Sequence, residues 1–259
     1  IKKGESPHIL SMSATPIPRS LGLTYLGDLD ISTIKTLPKT RKKIQTKIVD
    51  KSNFSQFLSF FKTRLELGEQ AYIVVPMIEE SEELHNVETA YKIFSKYFPE
   101  ASISVLHGKI KPDTKEEIFS QFNRGETSIL IATSVIEVGI NCVNATIMSI
   151  LDPQRFGLSS LHQLRGRVAR GDKPGFCFLV VDKGLTRETK KRLKVIEKTT
   201  DGFAIAEEDL KIRGHGEYFG TKQSGTDQSL VLADIQTHMN LLEMAREDVT
   251  PTPCGSLEI

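Results

Sequence analysis

Cysteine is scarce: Cys142, Cys177 and Cys254 are the only three, they lie far apart, and none forms a CxxC pair. That excludes a disulfide framework and a thiolate zinc site, and it suits a reducing compartment. A long uncharged apolar run is also missing. The most apolar stretch, residues 128–151, carries Glu137 and two asparagines, which excludes a membrane span. The opening residues IKKGESPHIL have no initiator Met and no apolar core for a signal peptide, so they are expected to be the interior of a longer polypeptide. Charge of one sign is not in excess either: 34 Lys+Arg against 33 Asp+Glu leaves a net +1, so bulk charge argues neither for nor against nucleic acid. Finally, no GxxxxGK[ST] occurs, and with it the loop that cradles phosphates is absent; GEYFGTK at 216–222 has the wrong spacing and order.

What is present is ordinary globular material, with 39% hydrophobic and 26% charged residues. β-branched runs at 9–12, 44–49, 71–77, 102–106, 128–132, 146–151 and 176–181 predict strands. Helical periodicity falls between them at 54–67, 87–98, 115–122 and 159–170, with turn signals at Gly68, Pro99, Gly125 and Lys173-Pro174-Gly175. Continuous apolar strands separated by helices predict a doubly wound parallel α/β sheet over residues 42–184. Residues 1–41 are expected to be the end of a preceding domain plus a linker. After 184 the pattern turns helical, at 186–198, 204–212 and 230–247, predicting a separate element over 185–259. Basic residues cluster at 183–198, which on composition alone is a solvated helix face.

The decapeptide HQLRGRVARG, 162–171, stands out. Read as one helix, it sets Gln163, Arg167 and Arg170 on one face and Leu161, Leu164 and Val168 on another. Guanidinium groups in fixed geometry suit a phosphoryl group in flight; a solvated basic face explains the same residues, and the decapeptide alone leaves both open. Three other polar segments follow predicted strands: SATPIPR at 13–19, His107-Gly108, and Thr133-Ser134 through Glu137 and Gly139. Singly they read as a Pro-fixed turn, a loop histidine, a helix cap and a paired carboxylate. Jointly they are expected to converge with the decapeptide on one rim, at the carboxyl ends of the strands.

SATPIPR, IEESEEL, HGKIKP, TSVIEVGI, HQLRGRVARG and GFAIAEEDLKIRGHGEYFGTKQSG occur in that order. Over essentially its full length the chain resembles the C-terminal portion of the RecG family of branch-migration helicases, superfamily 2 translocases on double-stranded DNA. The resemblance implies that residues 42–184 are the second of two RecA-like lobes and 185–259 a helical hairpin and loop for translocation. Ser13 and Thr15, with Arg19, match the third helicase motif; Thr133 to Asn141 match the fifth and Gln163 to Arg170 the sixth. It implies Arg167 and Arg170 as arginine fingers supported by Gln163, with Glu137, Gly139 and Asn141 toward the nucleotide. It places Ser13, Thr15, Arg19, His107, Gly108, Thr133 and Ser134 toward DNA, with Arg213 and Gln223 coupling the C-terminal element to the sixth motif. ATP and Mg2+ are implied for the intact enzyme, with neither expected on this portion alone because the phosphate loop and magnesium motif are missing. Branched double-stranded DNA, the first lobe and a wedge domain are the implied partners, in a bacterial cytoplasm. Two alternatives remain: a transcription-repair coupling factor-like translocase, and a non-catalytic DNA-binding remnant. Ala169 stands where the family usually has Gly, a methyl that favours a helix by up to about 1 kcal/mol. Asn141 and Val143 replace an expected Asp and Pro.

Overall fold

The computed structural model describes residues 32, 42–76, 80–133, 142–181, 184–213 and 244. Strands and helices alternate: β1 (Ile44–Val49), α1 (Phe54–Glu66), β2 (Gln70–Val74), α2 (Glu80–Tyr97), β3 (Ile103–Leu106), α3 (Pro112–Arg124), β4 (Ile129–Ala132), β5 (Ala145–Leu151), α4 (Leu158–Arg165), β6 (Gly175–Val180), α5 (Arg187–Lys198) and α6 (Gly202–Arg213). The strands form one sheet in the order β1-β6-β5-β2-β4-β3, with every pairing parallel. This is the doubly wound sheet that the apolar runs predict. Expected elements at 9–12 and 230–247 lie outside the described residues, Met244 apart.

Burial explains the order. β2 and β4 are buried at every residue, as strands covered on both faces must be, whereas β1 alternates half-buried and exposed positions at the edge. One face packs on α1 and α2 through Phe57, Phe61, Val87, Ala90 and Phe94. The other packs on α3, α4 and α5 through Phe122, Leu161, Leu164, Leu193 and Ile196. Each of these side chains larger than alanine contributes roughly 1.5–3 kcal/mol by leaving water.

A buried amide ties the amino-terminal edge together. Gln70 Nε2 donates to the carbonyls of Phe122 and, at 2.7 Å, Thr127, while Gln70 Oε1 accepts from the Cys142 thiol at 3.3 Å. Beside it, Glu69 is buried and held by Arg64 Nε at 2.8 Å and the Thr146 hydroxyl.

The periodicity marks α2 only from Val87, but the helix starts at Glu80. The sequence ESEELHN has no apolar spacing to reveal those first turns. At the other end, α5 carries Leu193 and Ile196 into the same core as Leu161 and Leu164. The compact unit that contains the sheet runs to Asp209. A helical element counted from 185 therefore shares its first helix with the core of the sheet.

Cys177 on β6 is fully buried, and its thiol is pushed up to about 12 by burial, with the Arg165 charge opposing. The sign follows: the folded state keeps the proton, and the unfolded thiol loses it near pH 8.5. Native stability is thus fully present below that value and falls as pH rises toward 12. Denaturant midpoints measured from pH 8 upward should decline, less steeply in Cys177→Ala, and a thiol reagent should label Cys177 only on unfolding.

Candidate functional site

Parallel strands bring their carboxyl ends to one edge, and there His107 and Thr133 meet. Leu106 pairs with Ala132 across β3 and β4, so the residues that follow are neighbours, and the Thr133 amide donates to Leu106 O at 3.3 Å. Thr133 is buried. His107 Nδ1 is buried without a hydrogen-bond partner, and the carbonyl of Gly108 accepts from Lys115 Nζ at 3.0 Å.

The arginine segment does not join that rim. α4 leaves the carboxyl end of β5, and the chain beyond it arrives at the opposite edge. There Lys173 Nζ donates to Asn144 Oδ1 at 3.0 Å, just before β5 begins. A Cβ on Gly171 would lie 2.7 Å from Val143 Cγ1, and one on Gly175 would lie 2.7 Å from Ala169 Cβ. The expected single rim is therefore two places: His107 and Thr133 at the carboxyl edge, the end of the arginine segment at the amino edge.

Nor is the segment one helix. α4 ends at Arg165, Gly166 caps it, and Ala169 turns left-handed with φ 59°. Gln163 lies on the helix, while Arg167 and Arg170 follow its end and do not share a helical face with it. The apolar spacing misleads because Val168, already past the helix, is buried alongside Leu161 and Leu164. Gly166 favours termination, and the chain must reverse to enter β6 beside Ala169. The Ala169 methyl accordingly favours no helix; a left-handed alanine costs about 1–2 kcal/mol relative to the usual conformation.

Arg170 is exposed and makes no hydrogen bond or ion pair among the described residues. Arg167 is half-buried and engaged. Both charges reach the buried Tyr72 on β2, whose hydroxyl has no partner. Burial pushes that phenol up, Cys142 adds to it, and Arg170 and Arg167 oppose it.

A residue that the pattern of candidates missed is Arg165, 2% exposed. Its Nη1 donates to Ile196 O at 2.7 Å and Thr199 O at 2.8 Å, and its Nη2 to His162 Nδ1 at 2.9 Å. A guanidinium has no acceptor, so His162 receives this bond on an unprotonated nitrogen. The spacing held the signal: Arg165 falls four residues after the buried Leu161, on the packed face of the helix.

Ser13, Thr15, Arg19, Ser134, Glu137, Gly139, Asn141 and Gln223 lie outside the described residues. Arg213 closes α6. Among the described residues, no group of three or more His, Cys, Asp or Glu side chains could hold a metal ion, and no helix is long and apolar enough to cross a membrane.

A parallel six-stranded sheet between two helix layers, with this arginine segment leading into its β6 strand, is the C-terminal lobe of a RecA-like helicase fold. The family described as helicase conserved C-terminal domain matches residues 51–172, and that described as ATP-dependent DNA helicase RecG, domain 3, C-terminal matches residues 199–251. The chain belongs to the RecG family. It is 44% identical to ATP-dependent DNA helicase RecG of Streptococcus pneumoniae over 95% of this chain and 37% of that protein. Against the Thermotoga maritima RecG it is 44% identical, over 100% of this chain and 33% of that protein. A solved structure of RecG bound to a three-way DNA junction superposes with a TM-score of 0.70 at 40% identity, over 90% of this chain and 30% of that one. The chain thus spans about a third of the length of the relatives it matches.

Proposed function

We propose that this chain is the C-terminal portion of an ATP-dependent translocase on double-stranded DNA that remodels branched substrates such as forks and junctions. The supporting observation is the contrast within one motif. Arg165 is buried and bonded to backbone carbonyls, whereas Arg170, past the Ala169 turn, is exposed and unpaired among the described residues. An uncommitted guanidinium beside Arg167 fits the phosphates of a nucleotide held by another lobe, and a fixed fork suits spread negative charge.

ATP hydrolysis supplies the energy. Arg167 and Arg170 stabilise charge on the transferred phosphoryl group, and Gln163 holds the interface. Glu137, Gly139 and Asn141 take the nucleotide side by resemblance. At the carboxyl rim His107, Gly108 and Thr133 contact the DNA backbone, and by resemblance Ser134, Ser13, Thr15 and Arg19 take the DNA side as well. Such contacts bind without sequence preference, as translocation requires. Arg213 and Gln223 couple the helical element over 185–259 to the lobe over 42–184, and residues 1–41 close the first lobe. On this reading the chain by itself turns over no ATP, because the phosphate loop and magnesium motif come from that first lobe.

The test is the full-length protein on a three-way DNA junction. ATP hydrolysis should rise on adding DNA, and the junction should be unwound irrespective of sequence, less well as salt increases. Hydrolysis indifferent to DNA, or no unwinding of any branched substrate, overturns the proposal.

A further inference from the structure

A buried guanidinium is costly, because leaving water penalises the charge unless every donor is well placed. Leucine or methionine would fill the space beneath α4 at less cost. Arg165 instead spends its donors on a defined target, the carbonyls of Ile196 and Thr199 at the end of α5. The last carbonyls of a helix have no intrahelical partner and carry the negative end of its dipole, so a cation bonded there is held firmly.

The contact is one end of a continuous path. Thr199 Oγ1 accepts from the Asp201 amide at 3.1 Å, and Asp201 Oδ1 accepts from the Phe203 amide at 2.9 Å, in the first turn of α6. A second arginine reaches back in the other direction: Arg192 of α5 donates through Nη2 to Gln154 O at 2.6 Å and Phe156 O at 3.0 Å, in the stretch leading into α4. Thr199 is also the first residue of the RecG-specific match, whereas Arg165 lies within the general helicase match.

We propose that Arg165 is a positioning residue that joins the arginine segment to the start of α6, so that displacement at residues 166–170 is passed to the helical element. The inference rests on the proposed reading in which Arg170 faces a nucleotide. Arg165 itself is buried, and it acts through Thr199 and Asp201.

The test compares Arg165→Met and Arg165→Lys with the unaltered full-length protein on a three-way DNA junction, recording ATP hydrolysed and base pairs unwound. Methionine keeps the volume and removes the donors. Its DNA-stimulated hydrolysis should stay within about threefold of the unaltered protein. Base pairs unwound per ATP should drop by about tenfold, the size expected from losing even one of its three charged hydrogen bonds. Lysine, which keeps the charge but not the fork, should show a smaller drop. A residue that only stabilises the fold would lower hydrolysis and unwinding together and leave their ratio unchanged. An unchanged ratio in Arg165→Met, or in Arg165→Lys where the methionine variant does not fold by thermal melt, overturns the inference. Absence of DNA-stimulated hydrolysis in the unaltered protein sinks the functional reading instead.

Discussion

ATP turnover by the full-length protein should fall by on the order of a thousandfold when Arg170 is replaced by alanine, the range set by arginine fingers in phosphoryl transfer. The loss should appear in kcat more than in KM, because a finger acts on charge that develops only as the phosphoryl group moves. Lysine should restore little, since a point charge does not reproduce the planar fork. Two controls separate this effect from general damage. Arg170 is exposed and unpaired among the described residues, so its removal leaves no buried group stranded, and the melting temperature should hardly move. DNA affinity should also persist, because His107 and Thr133 stand at the other edge of the sheet. Near-normal hydrolysis in Arg170→Ala would remove the arginine from the active site and leave the solvated-face reading in its place.

Gly175→Ala should lower turnover by roughly a hundredfold, the effect of about 1 Å of misplacement at a reacting centre. The new methyl would come within 2.7 Å of Ala169 Cβ, 3.2 Å of Val168 Cγ2 and 3.3 Å of the Ala169 amide nitrogen. Backbone on one side and a buried side chain on the other leave no flexible tip to yield. The turn that carries Arg170 must shift, at a cost in stability of about 1–3 kcal/mol. Ala169→Gly in the same protein removes the opposing methyl and relaxes the left-handed turn, so the double variant should recover most of the lost turnover. Recovery is the discriminating result. If Gly175→Ala hydrolyses ATP normally, the turn does not set the position of Arg170; if the double variant stays as weak as the single one, the contact with Ala169 is not the cause.

The sheet was legible because its evidence is local. A run such as ILIA at 129–132 can be nothing but a buried strand once helices flank it, and burial at all of its positions agrees. The decapeptide was harder, and for a physical reason. Leu161, Leu164 and Val168 keep helical spacing whether the last of them sits in a helix or in the reversal after it, because both bury the same side chains. What ends the helix is the Gly166 cap, and what fixes the reversal after it is the packing of Ala169 against Gly175 at the start of β6. Arg165 was hidden differently. Gln163, Arg167 and Arg170 crowd its motif, and an arginine there invites a functional reading, while the position itself, one turn after Leu161, assigns it to the packed side. A single rim fails because α4 and the turn after it together return the chain to the amino edge, where β6 begins beside Ala169.

The first and last strands of the sheet are neighbours, and they run the same way. β1 pairs with β6 from Ile44 opposite Gly175 to Val49 opposite Val180. The polypeptide comes into this pair at the amino end of β1 and leaves it at the carboxyl end of β6. Tension between those two points therefore pulls along the strands, in shear, and loads their whole ladder of hydrogen bonds together. An antiparallel pair pulled from adjacent ends would open one bond at a time, like a zipper. A lobe wired in this way resists force along the direction in which the chain passes through it, and it would yield far sooner to force applied across the sheet.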